Sequence, residues 1–291
     1  MTLVSPAELA DLLESDSAVR ILDVRWSLPE PDGRAAFEAG HIPGAVYVDL
    51  ETELSDHSVP NRGRHPLPSG DSLEAALRSW GIDSGDIVVV YDDWNRAGSA
   101  RAWWVLCAAG VDDVRILDGG FAAWRAFGGR VSTGAAGPAR GSISIEHRDL
   151  YTGALATLTA EDAAKVAVEG VLLDARAPER FRGEVEPVDP VAGHIPGAAN
   201  LPSTTLLAQD GASSPRMNFE RHSPKPVLLE VRLSARIAGP VSLQPWSSRL
   251  PLSRAWRCRC SRAPGRSGAR IRRTRSKPDR CRRRHTWCAV G

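Results

Sequence analysis

Seven consecutive residues, Ala-Gly-His-Ile-Pro-Gly-Ala, occupy positions 39–45 and return unchanged at 192–198. The flanks repeat as well. Ile-Leu-Asp-Val-Arg (21–25) sets Asp23 18 residues before His41, and Leu-Leu-Asp-Ala-Arg (172–176) sets Asp174 20 residues before His194. A period of 153 residues is too long for a solenoid unit and suits a whole domain. The chain reads as two copies of one domain, head to tail. Within the repeat, Pro fixes φ and Gly supplies a conformation that other residues resist, so a turn is the first reading of His-Ile-Pro-Gly. The imidazole is placed to cap backbone groups of that turn.

Around the repeat, strands alternate with helices. Ser5-Pro6-Ala7-Glu8 has the capping-box spacing with Pro at the first helical position, and Leu9, Leu12 and Leu13 follow at helical intervals. Val19–Val24 is a short apolar run suited to a strand buried on both faces. Asp86–Tyr91, rich in β-branched residues, predicts a second strand. Ala97–Gly110 then reads as a helix closed by its glycine, and Val114–Leu117 as a third buried strand. In the second copy Thr159-Ala160-Glu161-Asp162 opens a helix, and Gly170–Ala175 predicts its first buried strand. This alternation predicts an α/β fold with a mostly parallel sheet. The predicted organisation is a first domain over 1–130, a Gly/Ala/Ser/Thr-rich surface linker over 131–156, and the first half of a second domain over 157–211. An irregular tail over 212–291 follows.

Charge marks the last boundary. Residues 1–211 hold 17 Lys+Arg against 32 Asp+Glu, whereas 212–291 hold 20 against 3, so a whole-chain net charge of +2 conceals a strongly basic tail. Four of the five cysteines, Cys258, Cys260, Cys281 and Cys288, lie in that tail. No run is long enough to span a bilayer. The polar, acidic start is unlike a signal peptide, which makes the cytoplasm the expected compartment.

The ordered blocks DVRW…GRAAFEAGHIPGAVYVDL, YDDWNRAGSARAWW, VRILDGGFAAW and ERFRGEVEPVDPVAGHIPGAANLP, between about Val4 and Gly211, resemble the rhodanese (sulfurtransferase) family, specifically its tandem two-domain enzymes. The resemblance implies two rhodanese-like domains with parallel central sheets flanked by helices, the second incomplete here. It also implies transfer of sulfane sulfur without a cofactor. In that chemistry a cysteine thiolate of the second domain attacks the outer sulfur of thiosulfate. The S–S bond breaks, sulfite leaves with the electron pair, and the persulfide passes to cyanide or a thiol. A loop of N–H groups entering a helix lowers the thiol pKa and holds the sulfur anion. The expected partner is thiosulfate or a similar small sulfur anion.

By the same resemblance Asp92 stands where a catalytic cysteine would follow the central strand, so the first domain is expected to be non-catalytic. Asp92 itself reads as a solvated or helix-capping acid. Cys107, mid-helix in an apolar stretch, is expected to be an inert core residue. Arg180 and Arg182 are the candidate substrate-binding residues. Arg180 matches a family position that contacts the anionic substrate, and a permanently charged fork suits an oxygen cluster. The alternative is a surface arginine paired with Glu179 or Glu184. The mercaptopyruvate-using branch carries a further arginine just past Glu-Pro-Glu-Pro. This chain has Asp189 there, which leans the ancestral substrate towards thiosulfate.

After Gly211 the pattern stops. Pro226–Val231 could pass for the next strand, but Arg232-Leu233-Ser234-Ala235-Arg236 follows it without a cysteine. From Trp246 on neither period continues. Three readings compete. A basic arm could neutralise phosphates. Cys258, Cys260, Cys281, His285 and Cys288 could ligate a metal, although their spacing fits no common zinc pattern. Thirdly, the tail could be translated out of frame. Only Lys165, Lys225 and Lys277 among 37 basic residues are lysine, which suggests a G+C-rich gene whose wrong frames spell Arg, Pro, Ser and Cys. Shifted two bases, the codons of Met217-Asn218 must encode Glu, and G+C-rich codons from Ala212 can spell RVLPADELRATF. The out-of-frame reading is preferred, because a globular segment needs periodic apolar residues to bury. It leaves the chain as written without a catalytic loop and predicted to be inactive, and gives nucleic-acid binding no selected role.

Overall fold

Four valine-rich positions in a row set the centre of the first domain. In the computed structural model β4 (Ile87–Tyr91) buries Val88, Val89, Val90 and Tyr91 completely, with alternate side chains on opposite faces of one sheet. The structure describes residues 2–60, 62–93, 95–135, 137–208, 211–213 and 288–290. Beside β4 run β2 (Val19–Asp23) and β5 (Val114–Leu117), with β3 (Ala45–Tyr47) and β1 (Thr2–Val4) at the edges. The order is β1-β5-β4-β2-β3, and every pairing is parallel.

Helices cover both faces. On one face α3 (Gly70–Ser79) and α4 (Ala97–Ala109) supply Leu73, Leu77, Val105 and Leu106 against Leu22, Val88, Val90 and Ile116. On the other, α1 (Pro6–Glu14), α2 (Arg34–Ala39) and α5 (Gly120–Phe127) bring Leu9, Phe37, Phe121 and Trp124 against Ile21, Val89, Tyr91 and Leu117. The start of α1 is the capping box expected of Ser5 and Glu8. The Glu8 N–H donates to Ser5 Oγ at 3.3 Å, and the Ser5 N–H to Glu8 Oε2 at 2.8 Å. This is the α/β architecture with a parallel central sheet that the alternation predicts.

The segment 131–156 is no loose connector. Composition predicts a linker crossing the surface, yet Ile143, Ile145 and Leu150 are buried in the α3/α4 core. Their backbone is held as well. The Ile143 N–H donates to the Ile82 carbonyl at 3.2 Å, the Ile145 N–H to Glu74 at 3.0 Å, and the Gly70 N–H to the Arg148 carbonyl at 2.9 Å. Three apolar residues among small polar ones are enough to strap the segment down.

The second copy repeats the first in miniature. β6 (Ala156–Leu158) leads to α6 (Ala160–Glu169), then β7 (Leu173–Asp174), α7 (Pro178–Phe181) and β8 (Ala199–Asn200). Thr159 caps α6 by accepting the Asp162 N–H at 3.1 Å. Parallel β7 and β8 match β2 and β3. The strand expected over Gly170–Ala175 is two residues long and, among the described residues, pairs with β8. The small core of Ala163, Ala167 and Leu172 leaves Val168 81% exposed and Val191 68% exposed.

One part of the tail departs from its irregular reading. Cys288–Val290 forms a strand, β9, parallel to β6, as β5 is to β1. The other tail expectations, the strand at 226–231 and the ligands Cys258, Cys260, Cys281 and His285, lie outside the described residues. Among the described residues no helix is long and apolar enough to cross a membrane.

The strap predicts where proteolysis stops. Limited digestion of the full chain should leave a core fragment ending beyond residue 150 rather than near 130. Ile143→Ala should cost about 2–5 kcal/mol of that fragment's stability in urea, as a large-to-small core change does. A stable fragment ending near 130 would contradict it.

Candidate active site

The parallel strands deliver their carboxyl ends to one place, where open α/β sheets bind ligands. β2 ends at Asp23, β4 at Tyr91 and β5 at Leu117, so Arg25, Asp92 and Asp118 are neighbours in space. The Val24 N–H donates to the Tyr91 carbonyl at 2.8 Å, and the Phe121 N–H to the Asp92 carbonyl at 2.9 Å. Gly98 and Gly120 let these loops approach. A Cβ on Gly98 would collide with the Val24 carbonyl, and one on Gly120, whose φ is +58°, with the Asp92 carbonyl.

The repeated motif acts at this rim. Arg25 Nη2 donates to Asp23 Oδ2 at 2.6 Å and to the Gly40 carbonyl at 2.6 Å. Its counterpart Arg176 Nη2 donates to Asp174 Oδ2 and to the Gly193 carbonyl at the same 2.6 Å. His41 Nδ1 lies 2.8 Å from the Phe37 carbonyl with the rings stacked at 3.9 Å. His194 Nδ1 lies 2.7 Å from the Phe181 carbonyl with the rings stacked at 3.7 Å. Both histidines cap backbone, the structural role expected of them.

Asp92 is not solvated. It is buried at 4% exposure, and its carboxylate accepts the Ser99 N–H and hydroxyl, both at 3.0 Å, and the Arg96 N–H at 3.3 Å. The capping half of its expected role holds and the solvated half is corrected, because α5 closes over it. Burial pushes its pKa above the usual range, against the pull of those donors. Asp93 is likewise raised by burial, with Arg25 pulling the other way from 3.6 Å. Arg96 at the loop's end adopts φ 60°, pairs with Asp118, and donates to Ser213 Oγ at 2.8 Å. The Ser213 N–H donates to Asp118 at 2.8 Å, so the first residues of the tail touch this rim. Arg96 and Asp118 lie within the blocks that resemble the family, but the sequence alone does not show that they pair.

Cys107 sits in α4 as expected, packed against the core, with its thiol pushed up to about 11 by burial. A thiol so placed is a poor nucleophile. In the second copy Arg182 is exposed and forks onto Glu184 at 2.7 and 2.8 Å. Arg180 is largely covered. It pairs with neither Glu179 nor Glu184 but donates from Nη2 to Glu186 at 2.7 Å and Asp189 at 3.0 Å. Those acids lie on the longer loop that the second copy inserts before His194. Burial alone would raise Glu186, yet the N–H groups of Asp189 and Val188, with Arg180, hold it below the usual carboxylate range. Among the described residues no group of three or more His, Cys, Asp or Glu is placed to hold a metal.

The Rhodanese-like domain model matches residues 5–127. The chain is 61% identical over 209 residues to a Mycobacterium tuberculosis protein named "Putative thiosulfate sulfurtransferase SseB", covering 72% of this chain and 73% of that one. The chain belongs to the rhodanese-like sulfurtransferase family. Within it, the 3-mercaptopyruvate sulfurtransferase of Escherichia coli K12 is 34% identical over 199 residues, covering 67% of this chain and 69% of its own. The crystal structure of SseA from Escherichia coli superposes with a TM-score of 0.63 at 32% identity, covering 74% of this chain and 79% of that one. The family's fold accounts for the parallel sheet and for the loop at the end of β4.

Asp92 gives the rim a pH signature. Because its pKa is raised on folding, the folded state holds the proton more tightly than the unfolded one. Its contribution to stability therefore falls as pH rises above the ordinary value of 3.8. Asp92→Asn should raise the midpoint of thermal unfolding at neutral pH, by an amount that shrinks as pH is lowered towards that value. An equal effect at every pH would show that burial does not govern Asp92.

Proposed function

We propose that this chain descends from a thiosulfate sulfurtransferase and that, as written, it does not turn over. The observation that carries this reading is the missing cysteine: past Gly211, where the second copy should supply its cysteine loop, no cysteine occurs in the sequence before Cys258. At the end of the central strand β4 a buried carboxylate, Asp92, takes the N–H groups of its own loop. A carboxylate cannot carry a transferable sulfur. The cysteine whose side chain the structure describes, Cys107, is buried in a helix with its thiol pushed up to about 11. The name of the Mycobacterium tuberculosis relative supports thiosulfate as the ancestral donor. Arg180 is the proposed contact for the anion, and Arg182, the second candidate, is forked onto Glu184 on the exposed side of the same turn. The proposed inactivity follows from a tail read out of frame after Gly211.

A non-catalytic anion-binding module is the second reading. It is favoured by Arg180, whose Nε is buried without a hydrogen-bond partner among the described residues.

One assay separates the two. The full chain, reduced and then incubated with thiosulfate, should show neither a mass gain of one sulfur atom nor release of sulfite. Persulfide on any cysteine would overturn the inactive reading. Saturable thiosulfate binding without sulfite would favour the binding module.

A further inference from the structure

The sheet of the first domain is open along β1, and among the described residues no strand pairs with its outer side. The register shows which groups face outward. Leu3 stands opposite Ile116 and Val4 opposite Leu117, and the Asp118 N–H donates to the Val4 carbonyl at 2.8 Å. In a strand the N–H and C=O of one residue point to the same side, and the side alternates along the chain. Val4 therefore spends both groups on β5. Leu3 turns both of its own to the open edge, where a further strand can take them.

Beside this edge lies a groove of about 510 Å³, bounded by Leu3, Val4, Arg115 and one stripe of α1. Glu8, Asp11, Leu12 and Ser15 form the stripe, at helical spacing. Its polar groups are not equally available. Arg115 is committed to Asp113 by two hydrogen bonds, at 2.8 and 2.6 Å. Ser15 gives its hydroxyl to the Leu12 carbonyl at 2.7 Å. Glu8 spends Oε2 on the Ser5 N–H and hydroxyl, both at 2.8 Å, and keeps Oε1. The Asp11 carboxylate has no partner among the described residues. With Arg115 neutralised by Asp113, the groove carries the negative charge of Glu8 and Asp11 beside the apolar Val4 and Leu12.

We propose that this edge and groove bind an extended segment of a partner protein in which basic residues alternate with apolar ones. The segment adds to β1 as a sixth strand and takes the Leu3 N–H and C=O. Alternation then sorts its side chains. On the α1 face, lysine or arginine stems lie over Val4 and Leu12 and carry their charge to Glu8 and Asp11. On the other face, apolar side chains meet Leu3, which packs against the α3/α4 core.

The test is a nuclear magnetic resonance titration of the full chain with acetyl-Val-Lys-Val-Lys-Val-amide, and with the same peptide carrying glutamate for lysine. The lysine peptide should move the amide signals of Leu3, Val4 and α1, and the glutamate peptide should leave them in place. Asp11→Asn should weaken the lysine peptide about two- to fivefold, the range of an exposed ion pair, and Asp11→Lys should weaken it further. Strand addition has its own readout. Of two peptides methylated at one backbone nitrogen, the central valine in one and the following lysine in the other, only the one whose methyl group faces β1 should lose binding. Equal shifts from both charge forms, shifts away from β1 and α1, or an Asp11→Asn variant that binds unchanged would overturn the proposal. Methylated peptides that both bind or both fail would overturn it too. So would a dimer in sedimentation that the lysine peptide dissociates, since the edge would then belong to a second copy of this chain.

Discussion

A single guanidinium nitrogen bridging a carboxylate and a carbonyl organises each copy of this domain. Arg25 is 7% exposed and Asp23 fully buried, so the pair gives up its hydration and must be compensated by geometry. The compensation is a two-nitrogen grip on Asp23 from Nε and Nη2, together with the Gly40 carbonyl, which the same Nη2 reaches across the turn. The Gly40 carbonyl can be there only if the His-Ile-Pro-Gly turn follows, and His41 stacked on Phe37 fixes that turn to α2. The second copy reproduces the arrangement at matching distances although its loop is longer. This explains why two halves of a diverged chain keep seven letters in common.

The clamp sets the rim, and the rim decides what the central strand can present. In the first copy the loop after β4 is filled by its own Asp92, and its last residue, Arg96, pairs with Asp118 and donates to Ser213 Oγ. In the second copy β7 pairs with β8 among the described residues, and Val168 and Val191 of that half are exposed.

Much of this was legible in the sequence, for reasons that differ by residue. Ser5, Pro6 and Glu8 specify a helix start locally, and Val88–Tyr91 specify a buried strand by composition, so both could be read directly. β1 could not: three residues are too few to show a period, and only the β5 edge makes them a strand. The strap over 131–156 was misread because Ile143, Ile145 and Leu150 are outnumbered by small polar residues. Asp92 is legible as a loop acid that caps the following helix, whereas its burial comes from α5, which is distant in sequence. The partners of Arg180 were missed in favour of nearer acids. What decided them was the rigid turn between Pro187 and Pro190, and a turn's path is not visible in residue spacing.

The account stands on the claim that the clamp and rim of the second copy were built to present a cysteine loop that this chain no longer encodes. Reading the gene through codons 205–220 and expressing it with the frame shifted two bases after Gly211 tests that claim most directly. The account predicts an open frame that spells an apolar strand, then a cysteine loop and a helix. It also predicts a protein that releases sulfite from thiosulfate and loses that activity when the new cysteine is replaced. Stop codons before such a loop, or an open frame whose product transfers no sulfur, would contradict it.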